Sequence, residues 1–132
     1  MAINPNELLK TIYLGDRCIK KIIIDGFNEK IAIQCDLISR VQPGNLTWYF
    51  YDKEDIENGF LVFNCAKAIK TSPLGAIADD YISSINITPI NYNKHYLAQI
   101  FVGGYDNKGH RCEVIIEIEF SELLIQKTYD ES

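Results

Sequence analysis

HYLAQIFVGGYDNKGHRCEVIIEIEF, from His95 to Phe120, is the stretch whose reading decides the fold. Its centre, Asp106-Asn107-Lys108-Gly109, fits a type I turn followed by a glycine bulge, which sets Asp106 opposite His110. That register pairs Tyr96 with Phe120, Ala98 with Ile118, Ile100 with Ile116, Val102 with Val114 and Gly104 with Cys112. Every pair on this face is apolar or glycine. The opposite face pairs Leu97 with Glu119, Gln99 with Glu117 and Phe101 with Ile115. A slip of one residue would send each side chain to the wrong side, so turn chemistry and binary pattern specify one antiparallel hairpin over 95–120.

Upstream, Ile82 to Ile90 alternates, with Ile85 and Ile87 inward, and Pro89 confines it to an edge or a strand end. Residues 74–80, LGAIADD, are irregular and read as the longest loop. Lys67 to Thr71 and Phe60 to Asn64 read as short strands, as does Leu46 to Tyr51. In the last of these Trp48 and Phe50 share one face, and Thr47, Tyr49 and Tyr51 the other. Asp52 to Asp55 carries capping chemistry for a single helical turn. Lys30 to Val41 reads as one strand, joined to Cys18–Ile24 by a turn at Asp25-Gly26 with Asn28.

At the start, Asn4 can cap a helix, Pro5 suits its first position, and Glu7 is placed to close a capping box. Leu8, Leu9, Ile12 and Tyr13 then form an apolar stripe ended by Gly15, which predicts a helix over 4–14. After Ser121 the pattern fits a strand or a helical turn equally, and residues 129–132 are expected to fray.

A chain of 132 residues fits a single domain, 1–132. Its many Ile and Tyr residues favour strands. About eight strands with no interleaved helices exclude a doubly wound α/β sheet. The expected fold is mainly β, bordering on α+β: an antiparallel meander forming a half-barrel or sandwich, with one short N-terminal helix.

Eighteen acidic against thirteen basic side chains give a net charge of −5, which opposes nucleic-acid binding. The N-terminus lacks the basic and apolar segments of a secretory signal, and no apolar run approaches the ~20 residues of a membrane span, so a cytoplasmic protein is expected. Cys18, Cys35, Cys65 and Cys112 are widely spaced without C-x-x-C, so no zinc or redox motif arises.

No catalytic motif is present. His95 and His110 fall at opposite ends of the hairpin, roughly 35 Å apart at the rise of an extended strand, too far to share a metal or a proton relay. His110 and Cys112 share a face, but Cys112 belongs to the core side. Gly103-Gly104 is followed by no helix that could hold a phosphate, so a strand kink or close packing accounts for it. Asp79-Asp80 reads as a cap between loop and strand, and the acids at 52–57 lack calcium-loop spacing. Neither catalytic residues nor cofactor or metal ligands are assigned.

Tyr13-Leu14-Gly15-Asp16-Arg17, Ile24-Asp25-Gly26-Phe27 and Asp55-Ile56-Glu57-Asn58-Gly59 before Phe60-Leu61-Val62-Phe63 resemble small uncharacterised bacterial proteins, some of them similar to immunity proteins encoded beside polymorphic toxins. The resemblance runs from about Asn4 to Ile90. It implies a cytosolic binding protein that neutralises a toxin domain, and transfers no catalytic residue. The expected contact surface is Tyr49, Tyr51, Asp52, Glu54, Asp55 and Glu57, since aromatic anchors supply interface energy and acids speed capture of a basic partner. The alternative is a small-ligand carrier with an apolar pocket lined by Trp48, Phe50 and Phe63.

Overall fold

The computed structural model describes residues 4–14, 17–40, 56–90 and 94–129. Among the described residues one helix, α1 (Pro5–Leu9), precedes eleven strands: β1 (Ile12–Tyr13), β2 (Ile19–Asp25), β3 (Lys30–Cys35), β4 (Leu37–Arg40), β5 (Ile56–Glu57), β6 (Phe60–Asn64), β7 (Ala68–Ser72), β8 (Ile77–Ile90), β9 (His95–Tyr105), β10 (Arg111–Phe120) and β11 (Glu122–Gln126). All pairings are antiparallel. Two four-stranded sheets, ordered β11-β6-β3-β2 and β7-β10-β9-β8, share a core, and β1-β4-β5 form a small third sheet. The fold is the expected mainly β sandwich, without a closed barrel.

The β9–β10 hairpin has the register its sequence dictates, pair for pair from Tyr96–Phe120 to Cys112–Gly104. Asp106 N–H donates to the His110 carbonyl at 2.9 Å, and Gly109 takes the positive φ of 82° that the bulge requires. Ala98, Ile100, Val102, Val114, Ile116, Ile118 and Phe120 are all buried. They meet Ile31, Ile33, Leu61, Phe63 and Leu123 of the facing sheet. Phe63 stands edge-on to Phe120 with ring centroids 5.0 Å apart, in the favourable perpendicular geometry.

In β3 the alternation divides two cores. Ile31, Ile33 and Cys35 enter the main one, while Ala32 turns outward to a smaller cluster with Phe60 and Val62. Tyr129 covers that cluster, its ring 6.0 Å from Phe60 and its hydroxyl donating to Asp25 at 3.3 Å. The expected frayed tail is therefore anchored at its first residue, because an outer apolar face still needs covering.

Four expectations change. The helix ends at Leu9: Thr11 gives its N–H and its hydroxyl to the Leu8 carbonyl, and Ile12–Tyr13 then pair with Arg40 and Ser39 as a strand. Asn4 caps as expected, accepting the Asn6 N–H at 2.9 Å, whereas Glu7 pairs with Lys10 instead of closing a capping box. The strand read as Lys30–Val41 breaks at Asp36, where the chain leaves one sheet and β4 joins another. The loop read at 74–80 shrinks, since β8 begins at Ile77 opposite Tyr105. Its two register shifts, between Ala78 and Ile82 and between Ile82 and Ser84, disguise the strand in the sequence. After a bend at Ser121, the undecided stretch is strand β11, paired with β6. The strand expected at 46–51 and the turn at 52–55 lie outside the described residues.

Candidate interaction surface

Among the residues expected to form the contact surface, Tyr49, Tyr51, Asp52, Glu54 and Asp55 lie outside the described residues, as do Trp48 and Phe50. Glu57 is described: it is exposed in β5, opposite Leu37. Leu61 and Phe63 are buried, as the alternation of that segment requires. Phe63 thus fills core space against Phe120.

Glu57 belongs to an end of the sandwich where several charged groups meet. The next residue, Asn58, sits at φ 55° and donates its N–H to the Asp36 carbonyl at 2.9 Å. Its side-chain oxygen accepts from Lys20 Nζ at 2.8 Å. Asp36 in turn accepts the Cys18 N–H on its carboxylate at 3.1 Å. Cys18 bridges Tyr81 of β8, and Ile82 donates to the Arg17 carbonyl at 2.9 Å, so the start of β2 is stitched to β8. Burial first, then the carboxylates of Asp36, Asp80 and Asp79, push the Cys18 thiol above its ordinary pKa.

Asp79 and Asp80 flank the irregular part of β8. Arg111 Nη1 contacts both oxygens of Asp79 at 3.1 and 3.2 Å, and its Nη2 reaches Asp80 at 3.0 Å. Gly103 leaves room for this: a Cβ there would lie 2.9 Å from the Asp80 Cβ. A Cβ at Gly104 would collide with the Ile77 carbonyl. The glycine pair therefore serves close packing, one of the two readings its sequence allowed. Leu74, Ile77 and Tyr81 stand exposed along the same run of chain, and Ile77 shares a cleft with Ile19–Ile22. The sequence marked Asp79-Asp80 only as a cap; the signal it held was Arg111, just past the hairpin turn, whose partners depend on where β8 runs.

The histidines are at opposite ends of the hairpin, as expected. His110 Nδ1 is 3.6 Å from Asp106 in the turn. His95 Nδ1 lies 2.8 Å from Ser121 Oγ, a half-buried pair that was not foreseen. The hairpin register contained it, because Tyr96 opposite Phe120 makes His95 and Ser121 the next cross-strand neighbours. The pair holds the corner at which the chain passes from β10 to β11. Cys112 packs against the core rather than pairing with His110, and Cys35 is fully buried. Among the described residues no cluster of His, Cys, Asp and Glu could hold a metal ion, and no helix is long and apolar enough to cross a membrane.

A family model described as a family of unknown function, DUF6258, matches residues 1–131, and the chain belongs to that family. No curated protein and no solved structure matches it.

Proposed function

We propose that this member of the family is a non-catalytic protein-binding module of the immunity type, which captures and neutralises a basic toxin domain. The observation that carries the reading is the meeting of acids and exposed apolar groups at one end of the sandwich. Asp36, Asp79 and Asp80 gather around Cys18, which bridges Tyr81, with Glu57 opposite Leu37, the residue after Asp36, and Ile77 exposed at the start of the strand that bears Tyr81. Large exposed apolar side chains beside charged groups are the composition of a protein contact, where the apolar groups supply energy and the charges supply steering. Arg111 neutralises part of the acid cluster and fixes its shape. The net charge of −5 would further accelerate encounter with a basic partner. Tyr49, Tyr51, Asp52, Glu54 and Asp55 extend the proposed surface by sequence, since they immediately precede Ile56 and Glu57.

The small-ligand reading has less support, because the interior between the sheets is filled by the Ile, Val and Phe side chains of the main core. The test is neutralisation. The chain is co-expressed with the product of the adjacent gene, and growth and complex formation are measured. Rescue of growth by a salt-sensitive complex, weakened by Glu57→Lys and Asp79→Lys, is the expected result. An adjacent product that is harmless, or toxic but unaffected by the chain, would sink the proposal.

A further inference from the structure

β2 is an edge strand whose outer hydrogen-bonding groups can be assigned. Cys35 N–H donates to Gly59 O at 2.9 Å on the β6 side of β3. Alternation then points Ile31 and Ile33 at β6, and Lys30, Ala32 and Gln34 at β2. Across the β2–β3 ladder those last three oppose Asp25, Ile23 and Lys21. The N–H and C=O groups of Ile22 and Ile24 are left pointing outward, where no backbone group among the described residues meets them. Ile24 is 62% exposed and Phe27, on the turn that follows, 96%.

Unpaired edges carrying apolar side chains recruit a further strand, and lysines on an edge oppose this. The sequence of β2, IKKIIID, discriminates between these effects because it is self-complementary. Two copies related by a two-fold axis normal to the sheet keep matching faces only when a residue sits on the axis. With Ile23 there, Ile22 opposes Ile24 of the second copy, and both carry outward backbone groups, as a hydrogen-bonded pair requires. In the same register Lys21 opposes Asp25 of the second copy on the outer face, twice over. Lys20 opposes Gly26 of the second copy, around which space is open. Centring on Ile22 instead sets Lys21 against Ile23 and Asp25 against Ile19, which forfeits both charge pairs.

From this complementarity we propose that the protein pairs with a second copy of itself along β2, in the register centred on Ile23, making one eight-stranded sheet. The inference is independent of the toxin reading, whose surface is centred on Glu57, Asp79 and Tyr81. Sedimentation equilibrium over a concentration series tests it. The wild-type chain is expected to dimerise, and Lys21→Asp and Asp25→Lys alone each to weaken the dimer at least about tenfold, since each sets like charges opposite one another. Mixing those two variants restores opposite charges at both positions and should restore association as a heterodimer. Ile24→Lys, at a side chain that is mostly exposed already, should weaken the dimer too, and melting curves establish that each variant is folded. A wild-type chain that stays monomeric throughout, a dimer indifferent to all three substitutions, or a mixture that fails to associate would overturn the proposal.

Discussion

The β9–β10 and β2–β3 hairpins are built from similar material and used differently. The first lies inside its sheet and buries one face, with Ala98, Ile100, Val102, Val114, Ile116, Ile118 and Phe120 all directed to one core. The second divides its burial: β3 feeds the main core through Ile31 and Ile33 and the outer cluster through Ala32, while β2 is the sheet edge. Their turns differ as well. Gly109 supplies the left-handed residue of the first at φ 82°, but in the second that conformation falls to Glu29 at φ 55°. The Glu29 turn is held from within, by Asn28 bonds to the Asp25 carboxylate at 3.1 and 2.9 Å, and from outside, by a Lys67–Glu29 ion pair at 2.7 Å. Both turns are legible in the sequence, but only the first hairpin carries enough local code to fix its register as well.

The two hairpins should differ most in their core. Phe120→Ala should cost about 4 kcal/mol in urea unfolding, because it empties the contact with Phe63 and Tyr96. A loss under about 1 kcal/mol would mean that the two sheets do not share that core. Gly104→Ala should cost about 3 kcal/mol, since the obstructing atom is the Ile77 backbone carbonyl, which cannot swing aside. Gly26→Ala, on the turn of the second hairpin, meets nothing within 4 Å and should be close to neutral. Equal effects at the two glycines would remove the distinction between packed and open hairpins.

Alkaline titration examines the inner face of β3. Burial pushes the Cys35 thiol from its ordinary 9.0 up to about 12. The unfolded chain therefore loses this proton first. The stability contribution is complete below pH 9 and is lost as pH rises toward 12, by about 3 kcal/mol near pH 11. Cys35→Ala should flatten that decline in pH-dependent unfolding; an unchanged slope would refute the assignment.

The turns permit a finer contrast. Gly109→Ala should destabilise by about 1 kcal/mol, because an L side chain resists that backbone conformation. Glu29→Gly should cost less, relief of backbone strain offsetting the exposed ion pair to Lys67. Thermal melts that rank the two in the opposite order would contradict the division of labour between the turns. The smallest effect is at Asp25, whose carboxyl is held below its ordinary range first by the side-chain hydrogen bond from Asn28 and then by the Asn28 N–H. Its contribution to stability is present above the ordinary carboxylate pKa and lost as pH falls through the lowered one. Asn28→Ala should move the Asp25 titration back toward the ordinary range, as read by NMR.

Legibility varied with the range of the interactions. Asp106 to Gly109 and the alternation beside them defined a hairpin that the structure reproduces pair for pair. The segment 74–80 looks like loop in the sequence because β8 changes register twice between Ala78 and Ser84, at a place made possible by Gly103 and Gly104 on another strand. The helix was overextended because Ile12 suits an amphipathic stripe and a strand equally, and Ser39 and Arg40 supply the strand partner. Glu57 alone, among the residues expected at the contact surface, could be placed. Asp36 is tied to its strand by the Asn58 N–H, and Asp79 comes near Asp36 only through the bridge of Cys18 to Tyr81 of β8.

By itself the sequence determined the mainly β class, the central hairpin and the inward placing of Ile85 and Ile87 in β8. These follow from a side-chain period of two and from turn chemistry spanning four residues. Tertiary structure alone decided how the strands divide between sheets, where Tyr129 docks, and which charges surround Cys18 and Arg111. Strand pairing joins residues far apart in the chain, and the partner of an edge or an outer face is fixed by what else is left uncovered.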